Sequence, residues 1–132
     1  KYEAKFKEAG AKRAMLLNMS VASHCPILEP ASVKLASELE GVVAANFAPV
    51  VSNVNAKIYT DKNEALVLLK EQLTHPVRYK QSINNYKNEV DCFIELGAAT
   101  LKGINKKITE KPTYSVTDMA SLEEVVKILE ER

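Results

Sequence analysis

The chain is short of glycine, of cysteine and of excess charge, and each shortage removes a class of function. Its 132 residues include four glycines, Gly10, Gly41, Gly97 and Gly103. None lies two residues from a serine, so there is no G-x-S-x-G nucleophile elbow. Gly97-Ala98-Ala99-Thr100 follows a strand-like run but is too sparse for a phosphate-cradling loop. Two cysteines, Cys25 and Cys92, are too few for a disulfide framework and lack metal-ligand spacing. With 18 basic and 17 acidic residues the net charge is +1, which gives no general attraction to nucleic acid or to an anionic membrane. Apolar runs fall far short of the ~20 residues that span a bilayer. The amino end, Lys1-Tyr2-Glu3-Ala4-Lys5, carries no signal-peptide pattern. Thiols without a secretory signal point to a reducing cytoplasm. Lys1 is not methionine, so an upstream part is expected to have been cut away or not included.

What is present suits a soluble globular domain or the larger part of one: 46% hydrophobic and 27% charged residues. Tyr2, Phe6 and Ala9 predict an amphipathic helix over 1–9, with Gly10 closing it. Residues 11–18, with the apolar run Ala14-Met15-Leu16-Leu17, read as a strand. Pro26 and Pro30 introduce a helix over 31–39 with a stripe of Val33, Leu35, Ala36 and Leu39, closed by Gly41. Pro49-Val50-Val51-Ser52 reads as a short strand before an irregular stretch over 53–57. Asp61 predicts an N-cap, with Glu64 three residues on, for a helix that His75-Pro76 ends. A polar helix over 79–87 follows, then the strongest strand, Cys92 to Leu96, a helix over 101–108 and an edge strand at Tyr114-Ser115-Val116. Ser121-Leu122-Glu123-Glu124 reads as the capping box of a last helix with Leu122, Val125, Val126 and Leu129 inward. This alternation predicts βαβ units and a largely parallel sheet, an α/β class.

His24 is the residue around which chemistry is expected. It stands in Met19-Ser20-Val21-Ala22-Ser23-His24-Cys25-Pro26, between a strand-like and a helix-like stretch, where rigid scaffolds hold catalytic side chains. Histidine is the side chain suited to taking and returning a proton near neutral pH. A Cys25–His24 dyad is disfavoured, because neighbours on an extended chain point to opposite faces. Cys92 reads as a small hydrophobe beside Phe93 and Ile94. His75, the other histidine, reads as a helix-terminal side chain near the C-terminal dipole. The base is present and its nucleophile is expected outside the segment.

Five short strings in order resemble the carboxy-terminal part of the malonyl-CoA:acyl-carrier-protein transacylase family. They are Gly10-Ala11-Lys12-Arg13-Ala14, Val21-Ala22-Ser23-His24-Cys25-Pro26 with Pro30, Pro49-Val50-Val51-Ser52-Asn53-Val54, Gln72-Leu73 with Pro76-Val77-Arg78-Tyr79, and Glu95-Leu96-Gly97. The resemblance implies an α/β-hydrolase-like parallel-sheet domain with a ferredoxin-like small subdomain inserted. Residues 1–18 would end the small subdomain, and 19–132 would be the carboxy-terminal part of the large one. Alone, the segment would leave an open sheet edge and an unfilled core, and would be inactive. Two positions depart from the family pattern: Gly97-Ala98-Ala99 replaces Gly-Pro-Gly, and Tyr79 stands at the aromatic after Pro-Val.

The resemblance also assigns roles. A serine in the missing amino-terminal part would carry malonyl from malonyl-CoA, the substrate, to the phosphopantetheine thiol of acyl carrier protein in fatty-acid synthesis. His24 would be the general base, and the main-chain carbonyl of Gln72 would orient it. Asn53 either lines the pocket or caps its turn. Lys102, Lys106 and Lys107 form either a solvated face or a docking surface for an acidic carrier protein. No bound cofactor or metal, and no nucleic-acid or membrane partner, is expected. Ser23 precedes the histidine, a position that tracks malonyl against methylmalonyl preference in modular polyketide enzymes. The alternatives are an acyltransferase domain of a polyketide synthase and a non-catalytic binding module of the same fold.

Overall fold

The computed structural model describes residues 2–15 and 18–131. Helix α1 (Glu3–Glu8) ends where Gly10 takes φ +92°, a backbone region that favours glycine. Its apolar residues do not pack: Tyr2 and Phe6 are each 58% exposed. The expected strand over 11–18 is not formed in residues 11–15 or 18, while Leu16 and Leu17 lie outside the described residues. A strand needs a neighbour to pair with, and none of the described strands lies beside 11–15.

The chain then winds through a 3₁₀ turn, Pro26–Leu28, into α2 (Glu29–Leu39). The helix begins two residues earlier than predicted, with Pro30 in its first turn, where a missing N–H costs nothing. Val33 stands 55% exposed, and the buried residue of this helix is Ser32, whose hydroxyl donates to the Glu29 carbonyl. Strand β1 (Val50–Val51) pairs antiparallel with β2 (Ile58–Tyr59) around the turn that the sequence left irregular. Asp61 caps α3 (Lys62–Gln72), its carboxylate accepting the N–H groups of Asn63 and Glu64.

Helix α4 (Tyr79–Tyr86) leads to β3 (Phe93–Leu96), then α5 (Leu101–Asn105), β4 (Thr113–Val116) and α6 (Met119–Glu130). Strands β3 and β4 pair in parallel, Phe93 beside Thr113 and Leu96 beside Val116, with α5 as the crossover. The described strands therefore form two separate two-stranded sheets, β3–β4 parallel and β1–β2 antiparallel, the latter because the turn over 53–57 folds the chain straight back. The parallel pair fits the α/β class, but a largely parallel sheet is not formed among the described residues. The last helix is capped by Asp118, not opened at Ser121. Ser121 is the reciprocal partner of the capping box, its hydroxyl meeting the Asp118 N–H. Of the predicted inner face only Val125 is buried, while Leu122, Val126 and Leu129 stay at least 38% exposed.

The core lies around α3: Tyr59, Ala65 and Leu68 are buried, with Val43, Phe47 and Val54 packed against them. Phe47 meets Tyr59 edge-on with ring centres 6.0 Å apart. Burial first, and the charge of Glu64 second, push the Tyr59 phenol up. Among the described residues no helix is long and apolar enough to cross a membrane.

Candidate active site

The carboxyl end of α3 organises the site. The last carbonyls of a helix have no partner within it. Here the Lys70 and Glu71 carbonyls are met by the N–H groups of Leu73, Thr74 and His75 as the helix tightens. The next two carbonyls face the loop after Ser23. The Gln72 carbonyl lies 2.8 Å from His24 Nδ1, and the Leu73 carbonyl accepts the Cys25 N–H at 3.1 Å. Forty-eight residues of sequence separate His24 from Gln72, so tertiary folding alone brings them together.

That contact fixes the tautomer. A carbonyl oxygen can only accept, so Nδ1 carries the proton. Nε2 of the neutral ring then holds the lone pair, and the side chain is exposed. The ring is ready to take a proton from a group placed against Nε2. The α3 carbonyls also carry the helix's partial negative charge, which faces the ring when it holds a transferred proton. His24 adopts φ 56°, the left-handed region that costs a non-glycine residue ~1–2 kcal/mol. The Nδ1 and Cys25 bonds hold it there. The loop at His24 is therefore not extended, and the alternation invoked against a Cys25–His24 dyad does not describe it. Cys25 itself is extended and uses its N–H on Leu73.

Asn53 reaches the same helix end. Its amide donates to the Gln72 side-chain oxygen at 3.1 Å, and its carbonyl accepts the Arg78 N–H at 2.9 Å. The turn is capped by its neighbours, Ser52 Oγ accepting from Val54 and Asn55 Oδ1 from Lys57. His75 caps α3 through Nδ1 and the Glu71 carbonyl at 2.8 Å, as a helix-terminal histidine should.

Lys106 and Lys107 line a cavity of about 710 Å³ together with Lys87 and Lys111. Lys102 lies one helical turn before Lys106, whose N–H meets the Lys102 carbonyl at 3.3 Å, and its own N–H is bonded to Glu95.

Two polar features escape the sequence reading. Glu95 is buried and accepts the N–H groups of Thr100, Leu101 and Lys102 and the Ser115 hydroxyl. Burial works to raise its carboxyl, but those bonds, Leu101's foremost, outweigh it and hold the group below the ordinary carboxylate value. Asn105, 2% exposed, accepts the Tyr79 hydroxyl at 2.8 Å and donates to Thr113 Oγ1 at 3.0 Å.

The fold and this geometry place an exposed histidine, oriented by a backbone carbonyl, in an α/β chain. No protein-family model matches the chain. The malonyl CoA-acyl carrier protein transacylase of Bacillus subtilis is 38% identical over 129 residues, 95% of this chain and 41% of that protein. A crystal structure of the malonyl-CoA:acyl carrier protein transacylase from Helicobacter pylori matches with a TM-score of 0.90 and 45% identity, covering 98% of this chain and 43% of that one. A malonyl-transacylase solved with a type II PKS acyl-carrier protein matches with a TM-score of 0.81 and 37% identity, covering 96% and 41%. The chain is homologous to the malonyl CoA-acyl carrier protein transacylases over nearly its whole length. It spans about two fifths of theirs.

Proposed function

We propose that this chain is the carboxy-terminal, histidine-bearing part of a malonyl-CoA:acyl-carrier-protein transacylase. The observation that carries the reading is the 2.8 Å contact between His24 Nδ1 and the Gln72 carbonyl, which leaves Nε2 free as a base. A serine on the amino-terminal part of the enzyme gives its hydroxyl proton to Nε2 as Oγ attacks the malonyl thioester. The tetrahedral intermediate collapses and expels the coenzyme A thiolate, which takes the proton from the imidazolium. The phosphopantetheine thiol of acyl carrier protein then repeats the sequence in reverse and leaves with malonyl. A neutral carbonyl takes the orienting place that a carboxylate holds in a serine–histidine–aspartate triad.

The wider architecture follows the same reading. Residues 1–18 end a ferredoxin-like subdomain, and 19–132 complete an α/β-hydrolase-like one. Exposed Tyr2, Phe6, Ile94 and Leu96 support this, since apolar side chains left open on one side fit against further polypeptide. The segment alone is inactive, because it lacks the serine. Lys102, Lys106 and Lys107, with Lys87 and Lys111 near the last two, dock the acidic carrier. The enzyme works in the cytoplasm, on malonyl-CoA, without a bound cofactor. A carrier protein of a dissociated polyketide synthase is the second reading, favoured by the likeness to the malonyl-transacylase solved with such a carrier.

Intact-mass spectrometry of the complete enzyme after incubation with malonyl-CoA tests this. A malonyl adduct on a serine, lost on adding carrier protein, is expected. No adduct would leave a non-catalytic module of the same fold.

A further inference from the structure

We infer that Asn53 is a positioning residue for His24, acting through the side chain of Gln72. This rests on the proposed role of His24. Gln72 is the last residue of α3, where the helix no longer fixes the backbone from both sides. Its carbonyl must nevertheless be aimed at Nδ1. The Asn53 amide holds the Gln72 side chain at 3.1 Å, and Asn53 is itself tethered by the Arg78 N–H on its carbonyl. Ser52 and Asn55 make the caps of the turn, so the Asn53 side chain is released for this contact across 19 residues. The result is a three-link support: the turn after β1 holds Gln72, Gln72 holds the ring, and the ring presents Nε2. Asn53 neither touches Nε2 nor caps its own turn.

The test uses Asn53→Ala, Gln72→Ala and the double variant in the complete enzyme. Gln72→Ala keeps the carbonyl and a good helix former while breaking the same side-chain bond, so it serves if Asn53→Ala fails to fold. Each single variant is expected to lower kcat about tenfold with KM for malonyl-CoA nearly unchanged, since a small misplacement of a catalytic group acts on the reacting state. The double variant should be no slower than either single one, because both remove one bond. The downfield Nδ1–H proton resonance of His24 should weaken in all three. Single variants within about twofold of the parent kcat with an unaltered resonance would overturn the inference. So would effects that multiply in the double variant. If the parent enzyme transfers no malonyl while its Nδ1–H signal still depends on Asn53, the functional reading fails and the positioning stands.

Discussion

Asn105→Ala should be among the most damaging single changes in this chain. The side chain joins three elements, Tyr79 of α4, its own α5 and Thr113 of β4, and it is 2% exposed. Removing it breaks two hydrogen bonds of unequal weight. Tyr79 is half-buried, so its hydroxyl can turn to water and the loss is about 1 kcal/mol. Thr113 is buried, and an orphaned hydroxyl there costs about 1–3 kcal/mol. The sum is about 2–4 kcal/mol, a large share of an ordinary folding free energy. With a urea slope near the upper end of about 1–3 kcal/mol per molar, the midpoint of the complete enzyme should fall by about 0.7–1.3 M. Thr113→Val in the Asn105→Ala background removes the stranded group and should recover part of the loss. A midpoint within about 0.3 M of the parent, or a double variant weaker than Asn105→Ala, would refute the reasoning.

Three further outcomes follow from the same contacts. The Glu95 carboxyl is held below its ordinary value despite burial, so its stabilisation is present above about pH 4.5 and is lost as pH falls through the lower folded value. Urea midpoints from about pH 6 down to about pH 3 should show this acid limb, and Glu95→Gln should flatten it while lowering stability at neutral pH. Tyr79 behaves oppositely: burial first, with the Glu95 charge adding, raises its phenol, so stability that is intact below about pH 10 declines as pH rises above it. A pH titration of stability in Tyr79→Phe should show a smaller alkaline loss, the share of Tyr59 remaining. Charge reversal at Lys106 and Lys107 should raise the KM for carrier protein and leave that for malonyl-CoA alone, and an unchanged carrier KM would dismiss docking at this face.

Local chemistry was legible wherever it decides structure within a few residues. Asp61 as a cap, Gly97 as the stop of β3 at φ +85°, and the polar helix before it all follow from neighbouring side chains. Contacts made across the fold were not legible. Strand β2 is two residues long and has no alternation to read, and its register depends on a turn tied by Ser52 and Lys57. The apolar stripes expected on α1, α2 and α6 are only partly covered, Leu35, Ala36 and Leu39 half-buried and Val125 buried, because periodicity names an apolar face without naming what covers it. Val33, Phe6 and Val126 stay open for that reason. The histidine stood out from its loop and its motif, and Gln72 only from the resemblance. That the Asn53 side chain reaches Gln72 required the fold, since spacing in sequence says nothing of a bond between a turn and a helix end.

The account depends on Nε2 of His24 accepting a serine proton. Its most direct test is the single-turnover rate of coenzyme A release from malonyl-CoA by the complete enzyme carrying His24→Ala, followed by stopped flow. A fall of several orders of magnitude, with malonyl-CoA binding retained, is the predicted result. Release at a rate close to that of the parent enzyme would contradict it.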